Sequence, residues 1–106
     1  MRTELVEIYS DATNAAVMRH PARQFPGMLL QGDTLHSLSA MAATALAGAE
    51  PESDHWYDLK ELVDALQPRV DFYSQVMREH GLELPFYDRP EGLRGKRGGR
   101  WRLQTP

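Results

Sequence analysis

The sequence has 106 residues, with 12 Lys and Arg against 15 Asp and Glu for a formal net charge of −3, and no cysteine. The length suits one domain, and a content of 42% hydrophobic and 25% charged residues is too apolar for a wholly disordered chain. Without cysteine there is no disulfide scaffold, thiolate zinc site or cysteine nucleophile.

The N-terminus reaches Glu4 before any apolar run, unlike a signal peptide. Leu5, Val6, Ile8 and Tyr9 then supply the β-branched and aromatic content of a first strand, and residues 10–14 are a polar turn cluster. A second, weaker strand over residues 16–19 ends at His20-Pro21, because proline pushes its predecessor out of regular pairing. Pro26-Gly27 opens a third strand, Met28-Leu29-Leu30-Gln31, closed by Gly32. Connections this short predict an antiparallel meander.

Two helices follow. Asp33 or Thr34 caps the first, and Leu35, Leu38, Met41, Ala42, Ala45 and Leu46 fall near one face at helical spacing. Its longest apolar stretch, residues 40–49, is far short of the roughly 20 residues of a membrane span. Gly48 with Pro51 ends it. Ser53 or Asp54 caps a long second helix, in which Trp56, Leu59, Val63, Leu66, Val70, Tyr73 and Met77 recur at steps of three and four. Pro68 falls mid-pattern and is expected to kink or split it. At its end Gly81 suits the left-handed position, with Leu82 folding back towards Met77. The fold class predicted is α+β: a small three-stranded antiparallel sheet packed on two helices, over residues 1–87. Residues 88–106 read as a basic Gly/Arg-rich tail, predicted to be flexible. The alternating Arg100-Trp101-Arg102-Leu103 offers a fourth strand as the alternative.

Charge is unevenly spread. Residues 89–102 carry +5, and residues 1–88 carry −8. An acidic body repels nucleic acid and suits a basic protein patch. Residues 50–64 hold six carboxylates and one lysine, Lys60, for −5. They read either as a docking face that includes Asp54, Asp58 and Glu61, or as the solvated side of an amphipathic helix. In the tail, Arg94, Lys96, Arg97, Arg100 and Arg102 with Trp101 resemble an arginine-glycine segment that binds single-stranded nucleic acid by charge and stacking. The alternatives are a solvated tail or one folded back onto the acidic helix.

No set of residues stands out as catalytic. The segment from Gly27 to Thr34 differs from a phosphate-binding loop at one position, but there Asp33 replaces the lysine that reaches the triphosphate. The plainer reading has Gly27 and Gly32 serving backbone turns and Asp33 capping the helix. Asp33, His36 and Ser37 or Ser39 are the residue types of a nucleophilic triad, yet neighbours on one helix point about 100° apart. The four histidines are scattered, with no His-x-x-x-His pair, so neither metal nor cofactor is expected.

The run Arg23-Gln24-Phe25-Pro26-Gly27-Met28-Leu29-Leu30-Gln31-Gly32-Asp33-Thr34-Leu35 resembles the signature of a family of small bacterial proteins. That family shares Arg-x-Phe-Pro-Gly leading into Gln-Gly-Asp-Ser/Thr-Leu, two helices and a Leu-Pro ending like Leu84-Pro85. The resemblance spans residues 5–87, attaches to no settled activity, and implies that any functional surface gathers around Arg23, Phe25, Gln31 and Asp33. The function expected is a non-catalytic protein-binding module in the cytoplasm, of the immunity or antitoxin kind. It would bind a protein partner through Arg23, Gln31, Asp33, Asp54, Asp58 and Glu61, with a homodimer compatible. The alternatives are a nucleic-acid-associated protein acting through the tail, and a small ligand-binding protein or enzyme at residues 25–35.

Overall fold

A computed structural model describes residues 1–87 of the chain. The tail residues Arg94, Lys96, Arg97, Arg100, Trp101 and Arg102, with the predicted fourth strand and the predicted flexibility, lie outside the described residues. The fold is α+β, with three antiparallel strands followed by two helices, in two compact units that meet in sequence between Gln31 and Gly32.

The first unit, Met1–Gln31, holds β1 (Glu7–Ser10), β2 (Ala16–Arg19) and β3 (Gly27–Leu29) in the order β1-β2-β3. Glu7 pairs with Arg19 and Ile8 with Met18; Ser10 then pairs with Val17, which leaves Tyr9 in a bulge. Across the other seam Ala16 pairs with Leu29, Val17 with Met28 and Met18 with Gly27. Directly opposed residues share a face of the sheet. One face therefore carries Ile8, Met18, Gly27, Ala16 and Leu29, and the other carries Glu7, Arg19, Val17 and Met28. The turn into β2 is held by the Thr13 hydroxyl, which accepts from the Ala15 amide at 3.3 Å. The turn after β2 closes through the Arg23 amide on the His20 carbonyl at 2.9 Å.

The second unit begins with α1 (Gly32–Gly48) and α2 (Asp54–Glu79). The Ser39 hydroxyl donates to Gln67 Oε1 at 3.2 Å, and Gly32 packs against the Tyr73 ring. Advancing along α1 thus means retreating along α2, so the helices form an antiparallel hairpin. Its core is Ala40, Ala42, Val70 and Phe86, with the buried His36, Ser39 and Ser74. On α2 the expected stripe from Trp56 to Met77 is buried or half-buried throughout. On α1 the expectation holds in part, for Ala42 is buried and Leu35 and Leu46 are half-buried. Leu38, Met41 and Ala45 are exposed, while Gly32, His36, Ser39, Ala40 and Ala42 are buried. Residues 35–46 are apolar nearly all round, so side-chain size decides the contact: the small residues face α2 and admit its bulkier stripe.

The helix ends follow local chemistry. Ser53 is the N-cap of α2, and its hydroxyl accepts from the Trp56 amide at 3.1 Å. Before it, the Ser53 amide reaches the Glu50 carbonyl at 3.1 Å, closing a turn with Pro51 second and Glu52 third at φ 66°. At the other end, Gly81 at φ 68° lets the Gly81 amide bond the Arg78 carbonyl and the Leu82 amide bond the Met77 carbonyl. Pro68 does not split α2, which runs unbroken through it.

Candidate functional site

The polar face of the sheet is organised by one ion pair. Arg19 Nε lies 2.7 Å from Glu7 Oε1, the Tyr9 hydroxyl donates to the same oxygen at 2.9 Å, and Arg19 Nη1 donates to the Arg23 carbonyl at 2.9 Å. The hydrogen bond from Arg19, then that from Tyr9, then the Arg19 charge hold the Glu7 carboxyl below its ordinary pKa. Reciprocally, the bond and charge of Glu7 raise Arg19.

The apolar face is open. Val6, Met18, Phe25 and Leu29 line a groove of about 570 Å³ that also reaches Met28 of the opposite face and is rimmed by His20, Arg23 and Gln24. A Cβ built on Gly27 meets nothing within 4 Å, so the groove passes over the bare backbone of that residue. Phe25 is 73% exposed and Leu29 56%. His20 Nδ1 accepts from the Ala22 amide at 3.0 Å, which leaves the neutral ring's proton on Nε2. Among the described residues the Arg23 guanidinium has neither ion pair nor hydrogen bond.

A second groove, of about 260 Å³, lies at the start of the hairpin between Asp33, Thr34, Ser37, Leu38 and Met41 of α1 and the returning Pro85 and Phe86. Phe86 is placed by stacking on the buried His36, with ring centroids 4.1 Å apart and planes at 15°. Tyr73 flanks Phe86 at 6.2 Å.

The sequence motif is thereby divided. Arg23 and Gln31 belong to the sheet unit, and Asp33 to the first turn of α1. Asp33 Oδ1 accepts from the Thr34 amide at 2.8 Å, within the first turn of α1. The two glycines each begin an element, Gly27 opening β3 and Gly32 opening α1, and neither has a positive φ. Gly27 opens the groove, and a Cβ on Gly32 would enter the Tyr73 ring, so that ring or the helix would have to shift. Nor does a triad assemble. His36 is stacked on Phe86, and the Ser39 hydroxyl is engaged by Gln67, which itself donates to Asp71 Oδ1 at 3.0 Å. Asp54, Asp58 and Glu61 are exposed on one stripe of α2, at steps of four and three. Among the described residues no group of three His, Asp or Glu is placed to hold a metal, and no helix is long and apolar enough to cross a membrane.

Sequence reasoning missed His20, Val6 and Met18 beside Arg23, because only the strand register brings them together. It likewise missed Phe86 as the partner of His36, although the Leu84-Pro85 ending marked that segment. No curated protein and no solved structure matches the chain. A family model matches residues 1–86, and the chain therefore belongs to a family of unknown function, DUF6959.

Proposed function

We propose that the chain is a non-catalytic protein-binding module that engages its partner through the sheet. The observation that carries this reading is the sheet's exposed apolar face. No residue of Met1–Gln31 is fully buried, and Ile8, Phe25 and Leu29 are each more than half exposed. Strands of three and four residues gain their stability from what covers them, and an uncovered apolar face of this kind marks an interaction surface. The outer edges of β1 and β3 also have no strand beside them among the described residues, which suits strand addition.

In its finer form the module is a bacterial cytoplasmic protein of the immunity or antitoxin kind, built on the Arg-x-Phe-Pro-Gly…Gln-Gly-Asp-Thr-Leu motif. Asp54, Asp58 and Glu61 supply a second, acidic contact that steers a basic partner. A homodimer is compatible with the same apolar face. The test is affinity purification from the native host with the wild-type chain, Ile8→Asp, and an Asp54/Asp58/Glu61→Asn/Asn/Gln variant. A stoichiometric partner should be recovered by the wild type, lost with Ile8→Asp and weakened about tenfold or more in salt-dependent fashion by the triple variant. Recovery of no stable heterologous protein, or recovery indifferent to Ile8, refutes the reading.

A further inference from the structure

We infer that the groove over Gly27 receives an extended peptide segment from the partner, one apolar side chain seated over Gly27 and a neighbouring carboxylate held by Arg23. This deepens the binding-module reading and rests on it.

Three features of the groove converge on that occupant. First, Gly27 lies mid-groove with open space above it and no positive φ, so nothing inside the unit calls for glycine. Glycine weakens a strand, and in a strand interior it often marks a place of close approach. Here it leaves a hole on the apolar face, with Met18 opposite and Phe25 and Leu29 two residues to either side. A leucine- or phenylalanine-sized side chain fits a hole of that shape and polarity.

Second, the charged and ring groups at the rim donate. Arg23 brings a guanidinium with no partner among the described residues, and neutral His20 presents Nε2–H because its Nδ1 is taken by the Ala22 amide. Donors in that arrangement call for an acceptor, and a carboxylate matches the guanidinium fork best. The chain's own basic tail, at +5 over residues 89–102, has the wrong sign for this rim.

Third, among the described residues β3 has a strand on one side only, since the order ends at β3. A segment added along its outer edge places alternate side chains on the groove face, beside Gly27, while its backbone satisfies the edge.

The test uses the full chain and synthetic probes: extended hexapeptides of threonine carrying one leucine and, one or two positions away, one glutamate, each with a glutamine counterpart. Binding is read by amide chemical-shift changes and by titration. The expected result is saturable shifts at Arg23, Gly27, Met28 and Leu29, with the glutamate peptides binding at least tenfold more tightly than the glutamine ones. Gly27→Val fills the hole and should abolish binding while raising the melting temperature. Arg23→Gln should equalise the two peptide sets with the apolar contact retained. Equal binding of both peptide sets to the wild type, shifts confined to the hairpin, or undiminished binding by Gly27→Val overturns the inference. A native partner still captured by Gly27→Val and Arg23→Gln also overturns it while leaving the binding module standing. Absence of any partner with Ile8 intact overturns the module itself.

Discussion

The phenol ring of Tyr73 lies on the backbone of Gly32, so closely that the glycine's missing side chain is the space the ring occupies. The contact joins the first residue of α1 to the last third of α2 and sets how near the two helices approach. Replacing Gly32 with Ala is expected to destabilise the protein by about 1–3 kcal/mol, the usual penalty for overpacking. In a Tyr73→Ala background the same change should cost nothing. Urea unfolding of the four proteins of the cycle measures this; a Gly32→Ala penalty that persists without the Tyr73 ring would contradict it.

The corner between the helices stores strain beside a favourable cap. Glu52 adopts φ 66°, a conformation that glycine reaches more easily, so Glu52→Gly should stabilise by about 1 kcal/mol. The next residue has the opposite sign. Ser53→Ala removes the bond to the Trp56 amide and should cost about 1 kcal/mol. Thermal melts of the two single variants should therefore move in opposite directions.

Two serines on the hairpin are almost fully buried, and only one is satisfied. Ser39 bonds Gln67, whereas the Ser74 hydroxyl has no hydrogen-bond partner among the described residues. Ser74→Ala should hold or increase stability by up to about 1 kcal/mol, since it removes an unmatched polar group. Ser39→Ala should lower stability by a similar amount. A reversed order in chemical denaturation would show that the Ser74 hydroxyl is engaged in solution.

The Glu7–Arg19 pair makes the sheet sensitive to acid. Because the folded carboxyl titrates below its ordinary value of 4.5, the pair contributes above that pH, and the contribution disappears as pH falls through the folded value. The partners are exposed, so the effect is small and weakens with salt. Comparing the wild type with Glu7→Gln from pH 7 downwards should show a stability difference that shrinks as the pH falls below 4.5.

The basic segment at the end of the chain invites a separate measurement. If Arg94, Lys96, Arg97, Arg100, Trp101 and Arg102 bind nucleic acid, deleting residues 89–106 abolishes salt-sensitive retention of a single-stranded oligonucleotide. Retention unchanged by the deletion removes the tail from consideration.

How much of this was readable in advance depended on whether local sequence held the whole reason. The α2 stripe was legible because Trp56, Leu59, Val63, Leu66, Val70, Tyr73 and Met77 are separated by polar residues at unambiguous steps. The ends at Ser53 and Gly81 were legible because capping is a property of neighbours. The buried side of α1 was legible only in part, since leucine and methionine compete with alanine and serine on nearby faces and the choice is made by α2. Arg23 and Phe25 were marked by their motif. The groove they border was not, because the pairing of Met18 with Gly27 is a register fact that neither segment contains alone. His36 and Phe86 meet only after the chain has traversed both helices and turned at Gly81.

That last meeting has a mechanical consequence. The segment after Gly81 reaches the mouth of the hairpin and is latched there by one flat ring against another. A pull applied at Tyr87 would load this latch before it loaded either helix, and across their axes rather than along them. The hairpin would then peel from its open end at low force instead of resisting as a sheared bundle does.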